Sequence, residues 1–144
     1  MTFSGNALDY NRGFNTTIEL VLANIAAAAT NTAMTSAQGA LGFLVPTGMY
    51  AVVLYLNVES NADLTAGTAT FNITVDGTII GNTPSVVLDF AAGTVRRNSS
   101  VGRVGSHKIT AGKRIGVGVT TNAGYLPTTA DHTAYVLIQL LPAS

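Results

Sequence analysis

Alternation of apolar and polar residues marks several short strands along this chain. Residues 16–25 and 68–76 place apolar side chains at every second position. This period of two is the spacing of side chains on one face of a half-buried β-strand. The longest such stretch, residues 49–59, contains two interleaved sets of side chains. One set is wholly apolar and is predicted to face the core: Tyr50, Val52, Leu54, Leu56 and Val58.

Turn residues separate these stretches at intervals of 8–15 residues. Asp76 and Gly77 predict a two-residue type I′ hairpin, because both central positions of that turn need a positive φ. The pattern predicts about eight short strands in an all-β fold, an antiparallel β-sandwich that is jelly-roll-like. We assign residues 1–15, which are polar and aperiodic, to an extended N-terminal arm, and residues 16–144 to a single β-sandwich domain.

Two local features refine this prediction. The alanine run at residues 26–29 leaves a short helix within residues 20–29 as an alternative, because alanine is the best helix former. The surrounding threonines and the lack of a capping box favour a strand or an extended loop. Gly116 and Gly118 alternate with apolar residues, which indicates that another backbone or a neighbouring chain passes close to this strand.

The composition favours an assembled protein. The 144 residues are 47% hydrophobic and only 10% charged, against a usual charged fraction of about 25%. A surface with so little charge suits a protein that buries much of it against partners. The chain has no cysteine, which excludes disulfides and thiolate metal sites. We expect neither a signal peptide nor a membrane span, since no apolar run approaches about 20 residues.

The charges are unevenly distributed. Residues 1–95 hold one base and six acids, whereas residues 96–144 hold six bases and one acid. The six bases are candidate interface residues: Arg96, Arg97, Arg103, Lys108, Lys113 and Arg114. They form either a solvated strand face, a nucleic-acid groove, or one half of a charge-complementary contact with a neighbouring copy or an acidic partner. Residues 94–120 contain no aromatic residue for base stacking, so the third interpretation is favoured over nucleic-acid binding.

The sequence offers little catalytic chemistry. The two histidines, His107 and His132, sit at predicted turn-to-strand boundaries and are interpreted as surface residues. No Gly-x-Ser-x-Gly elbow and no third metal ligand beside Asp131 and His132 are present. Two acids that meet in space would still allow glycoside hydrolysis. We predict no enzymatic activity, no cofactor, no metal and no small-molecule substrate.

Several segments resemble the small β-sandwich virion proteins of tailed bacteriophages, especially capsid decoration (cement) and head-fibre proteins. The resemblance spans residues 16–141 and is one of architecture, shared in part with C1q-like and tail-fibre domains. The segments that carry it are residues 17–20 with the trailing Ala/Thr stretch, 42–48, 71–78, 109–115 and 135–141.

The resemblance implies a homotrimer on the outer face of an icosahedral capsid, made in the host cytoplasm and bound to the major capsid protein. Neither nucleic acid nor membrane is an expected partner. An arm that adds a strand to a neighbour makes its aromatic residues further interface candidates: Phe3, Tyr10 and Phe14. One alternative is a receptor-binding or tail-fibre tip domain that presents an exposed Tyr125 in the loop 122–131. A carbohydrate-active enzyme is an alternative of a different class.

Overall fold

The computed structural model describes residues 13–102 and 107–143. These residues form eleven strands and no helix, and so contain no helix long and apolar enough to cross a membrane. The strands are β1 (Phe14–Ala23), β2 (Thr32–Ala33), β3 (Phe43–Leu44), β4 (Met49–Ser60), β5 (Thr68–Val75), β6 (Thr78–Ile79), β7 (Ser85–Asp89), β8 (Arg97–Val101), β9 (Ile109–Thr110), β10 (Arg114–Thr121) and β11 (Asp131–Pro142).

The strands form two antiparallel sheets that enclose one apolar core. The first sheet has the order β1-β11-β4-β8, with β9 also paired to β4. The second has the order β2-β10-β5-β6, with β3 also paired to β10 and β7 to β5. Three positions are each shared by two short strands: β8 and β9 lie beside β4, β2 and β3 beside β10, and β6 and β7 beside β5. Each sheet therefore has four strand positions. This is the arrangement of a jelly roll, and the predicted all-β sandwich is confirmed.

Core side chains come from both sheets. They alternate regularly along β5 and β11, as in strands with one buried face. The largest fully buried side chains include Leu20, Met34, Leu56, Phe71, Ile73, Leu88, Ile115, Tyr125, His132 and Ile138.

A β-bulge in β4 reverses part of the predicted facing. Val53 lies opposite Ile138 and Tyr55 lies opposite Leu137, so Leu54 is an extra residue without a partner on β11. Such an insertion shifts the in-and-out alternation by one position. Ala51 and Val53 are consequently fully buried before the bulge, and Leu56 and Val58 after it. The predicted core face is right for Leu56 and Val58 and wrong for Tyr50, Val52 and Leu54.

The segment after β1 is a loop, and the helix alternative for residues 20–29 is wrong. β1 ends at Ala23, and Ala28 has a φ of 58° within a turn. The backbone N–H of Ala28 donates to the carbonyl of Asn122 at 2.9 Å, and that of Ala29 donates to Thr121 Oγ1 at 2.9 Å. These bonds to the end of β10 and to the loop after it outweigh the helix propensity of alanine.

Two turn and close-packing predictions are confirmed. Asp76 and Gly77 have φ values of 50° and 85° and join β5 to β6, as a type I′ turn requires. A Cβ on Gly116 would lie 2.6 Å from the carbonyl oxygen of Leu41. The chain's own loop therefore crosses β10 where the sequence indicated a close approach.

The first strand begins at Phe14, so the last two residues of the predicted arm belong to β1. Phe14 pairs with Leu140, and Asn15 pairs with Gln139. Phe14 is nevertheless 53% exposed. The rest of the predicted arm, with Phe3 and Tyr10, lies outside the described residues.

Candidate assembly surfaces

The first two bases of the predicted cluster each have an acidic partner within the chain. Arg96 Nη1 lies 3.2 Å from Asp63 Oδ1, and Arg97 Nε lies 3.7 Å from Glu59 Oε2. All four side chains are exposed, and surface pairs of this kind typically contribute about 0–1 kcal/mol. These arginines lie at the end of the first sheet where β4 finishes and β8 begins.

Lys113 and Arg114 lie in a different place, beside the β5–β6 hairpin. Lys113 Nζ is 3.6 Å from Asp76 Oδ2. The backbone N–H of Arg114 donates to Asp76 Oδ1 at 2.9 Å, and its guanidinium donates to the carbonyl of Gly42 at 3.3 Å. Asp76 thus fixes the start of β10 against the hairpin turn.

Lys108 lies on the outer face of the first sheet, with its Nζ 4.9 Å from the ring centroid of Tyr50. Tyr50 and Glu59 are nine residues apart on β4, so Lys108 and Arg97 are separated by roughly 30 Å. The structure therefore does not bring the described bases into one patch, and Arg103 lies outside the described residues. Their role in a contact stays a prediction.

The outer face of the first sheet carries an apolar patch that the sequence interpretation had assigned in part to the core. Leu137 on β11, Tyr55 on β4 and Val101 on β8 lie side by side in one row across the sheet. Val101 is 69% exposed and Tyr135 is 36% exposed. We call this surface the outer apolar face and define it by Tyr50, Val52, Tyr55, Val101, Tyr135 and Leu137.

The signal for this face was present in the sequence. Residues 50–56 are apolar at every position. If the strand buries only one of its two faces, the other face of this stretch is apolar as well. Solvent-exposed sheet faces are usually polar. An apolar outer face of this kind is therefore a candidate contact surface.

One end of the sandwich is formed by four loops with little charge, residues 24–31, 61–67, 90–96 and 122–130. The N–H of Thr65 donates to the carbonyl of Leu126 at 3.0 Å, and that of Phe90 donates to Gly67 at 3.0 Å. Phe90 and Leu126 are about half exposed. The only charged residues in these loops are Asp63 and Arg96, which pair with each other.

The interior holds a histidine and a tyrosine that the sequence interpretation had placed at the surface. His132 and Tyr125 are both fully buried, and the Tyr125 hydroxyl is 2.6 Å from His132 Nε2. Desolvation lowers the pKa of His132 to about 4, against a smaller opposing effect of Asp131, and raises the pKa of Tyr125 to about 12. The predictions of a surface His132 and of an exposed Tyr125 are wrong, because both side chains are buried in the interior of the sandwich. His107 is exposed.

One depression of about 370 Å³ has two carboxylates in its lining, Glu59 and Asp131. Glu59 is held by Arg97, and Asp131 Oδ2 accepts a hydrogen bond from Asn61 Nδ2 at 3.3 Å. Both acids therefore take part in contacts that join strands and loops. Within residues 13–102 and 107–143, no group of three or more His, Cys, Asp or Glu side chains is placed to hold a metal ion.

The topology defines this chain as an antiparallel jelly-roll β-sandwich, and chains of two solved capsid structures have a similar fold. A chain of the acid-stable capsid structure of Helicobacter pylori bacteriophage KHP30 matches 92% of this chain over 95% of its own length, with a TM-score of 0.55 and 11% identity. A chain of the cyanophage Pam1 capsid asymmetric unit matches 90% of this chain over 86% of its length, with a TM-score of 0.55 and 19% identity. At these identities the likeness establishes the fold. No protein-family model and no curated protein matches the sequence.

Proposed function

We propose that this chain is a non-enzymatic structural protein of a bacteriophage particle. The observation that carries the proposal is the likeness to chains of two phage capsid structures, which covers nearly the whole of this chain and of both neighbours.

The described surface supports a role in assembly. Only 10% of the residues are charged, and three of the bases are already paired with acids of the same chain. The outer apolar face and the half-exposed Phe90 and Leu126 offer apolar area to a partner instead. Burial of apolar area is the main source of free energy in protein association.

The finer proposal is a homotrimer that decorates the outer surface of the capsid and binds the major capsid protein. It rests on the resemblance of residues 16–141 to decoration and head-fibre proteins. In this proposal the N-terminal residues, with Phe3 and Tyr10, reach a neighbouring subunit, and the bases of residues 96–114 contribute charge complementarity. The protein is made in the host cytoplasm and resides in the virion.

Quantitative mass spectrometry of purified particles tests the proposal. We expect the chain in amounts of the same order as the major capsid protein, and a mass in solution of three times 14.8 kDa. A few copies per particle would place it at a unique vertex or in the tail and contradict decoration. Its absence from purified particles would contradict a virion role altogether.

A further inference from the structure

We propose that the outer apolar face binds the same face of a second copy about a two-fold axis, with Lys108 of each copy facing Glu19 of the other. The inference goes beyond the proposed function, because the contact needs only two copies of this chain and no particle.

The two charged residues lie at opposite corners of the outer apolar face. Glu19 lies on β1 opposite Tyr135, at the level of Asn57 on β4. Lys108 precedes β9 on the other side of β4, and its Nζ lies over Tyr50. The corners are therefore about 14 Å apart across three strand spacings and about 13–20 Å apart along the strands.

Neither of these residues is neutralised within the described part of the chain. The three ion pairs found there use Arg96, Arg97 and Lys113, and leave both Glu19 and Lys108 without an oppositely charged partner within 4 Å. One acid and one base at opposite corners of a single face make that face complementary to itself.

A two-fold axis in the plane of the contact places the Glu19 corner of one copy against the Lys108 corner of the other. The midpoint between Glu19 and Lys108 lies beside Tyr55 and Leu137, so these two residues surround the axis. The strands of the two copies then cross at close to a right angle, which is one of the two arrangements in which sheets pack face to face. The symmetry forms the charged contact twice, once on each side of an apolar centre.

The composition of the face matches that of a specific interface. Its centre holds Tyr55, Leu137 and Val101, and its charges lie at the rim. Aromatic residues at the centre and charges at the periphery are the usual anatomy of such contacts. The face measures about 20 Å by 30 Å, which is at the lower end of specific interfaces. The contact is therefore weak and forms at high protein concentration.

Cross-linking in the purified protein provides the test, because the chain has no cysteine. Stacked sheets are about 10 Å apart and a disulfide needs Cα atoms within about 7 Å, so the reagent is a short bismaleimide. We mix Glu19→Cys protein with Lys108→Cys protein and treat each variant alone in parallel. Ser85→Cys, at an exposed position on the second sheet, is the matched control.

The two-fold contact predicts cross-linked dimers in the mixture and few in either single variant, because like corners of the two copies lie far apart. Equal cross-linking in the single variants, or none in the mixture at concentrations where wild-type protein associates, would overturn it. A charge exchange adds a second readout. Glu19→Lys and Lys108→Glu should each weaken concentration-dependent association at low salt, and the double variant should restore it. Failure of the double variant to restore association would also overturn the proposal. This result does not depend on whether the chain is found in phage particles, which tests the proposed function separately.

Discussion

The Tyr125 hydroxyl lies 2.6 Å from Nε2 of His132, and both side chains are fully buried beneath the loop that joins β10 to β11. The His132 ring also stands edge-on to Phe71, with ring centroids 5.4 Å apart. His132 Nδ1 has no hydrogen-bond partner among the described residues. The pair is therefore a structural element of the core that is stable only while the imidazole is neutral.

This burial predicts an acid-sensitive fold. The pKa of His132 is lowered from 6.5 to about 4 by desolvation, so the unfolded chain binds the proton more tightly than the folded one. The contribution to stability is complete above pH 6.5 and is lost as the pH falls towards 4. Between pH 7 and pH 5 the free energy of unfolding should fall by about 2 kcal/mol from this group alone.

Urea unfolding at both pH values measures the effect, with His132→Gln as the control that cannot titrate. The variant should lose most of the difference between pH 7 and pH 5. If the variant does not fold, an NMR titration of the His132 ring in the wild-type protein decides the question. A midpoint near 6.5 in the folded protein would contradict the burial argument.

The bulge at Leu54 predicts opposite outcomes for two neighbouring valines. Val53→Thr places a hydroxyl among fully buried apolar side chains and should cost about 1–3 kcal/mol of unfolding free energy. Val52→Thr lies on the outer face and should change stability by less than about 0.5 kcal/mol. Thermal or chemical unfolding of the two variants compares the faces directly. If β4 had no bulge and alternated regularly before Leu56, Val52 would be buried and Val53 would lie on the outer face. The Val52 variant would then be the less stable of the two.

The proposed arm gives a third prediction. Deleting residues 1–12 should weaken attachment to particles that lack the protein while leaving the unfolding transition of the sandwich unchanged. A deletion of residues 1–15 is unsuitable, because it would also remove Phe14 and Asn15 from their pairs on β11. Co-sedimentation with particles measures attachment, and equal binding by the shortened protein would show that the arm is not a contact.

The sequence predicted the features that depend on neighbouring residues. The Asp76–Gly77 hairpin follows from local backbone preferences, and the sandwich follows from the period-two pattern. The bulge at Leu54 has no local signal, because residues on both sides of it are apolar. Three of the five residues of the predicted core face in β4 were therefore wrong.

Features that depend on long-range placement could not be predicted in the same way. The described bases are close in sequence but lie at or next to the starts of β8, β9 and β10, which belong to two different sheets. Likewise, nothing adjacent to His132 in sequence shows that Tyr125 and Phe71 will enclose it. The outer apolar face needed the register of three strands before Tyr55, Leu137 and Val101 appeared in one row.

Cryo-electron microscopy of the particle would show whether this chain is a structural component of a phage capsid. We predict density for the jelly-roll sandwich in many symmetry-related copies on the outer surface of the capsid, grouped in threes. Density confined to the tail, or a complete particle with no density that fits the sandwich, would contradict a role in the capsid.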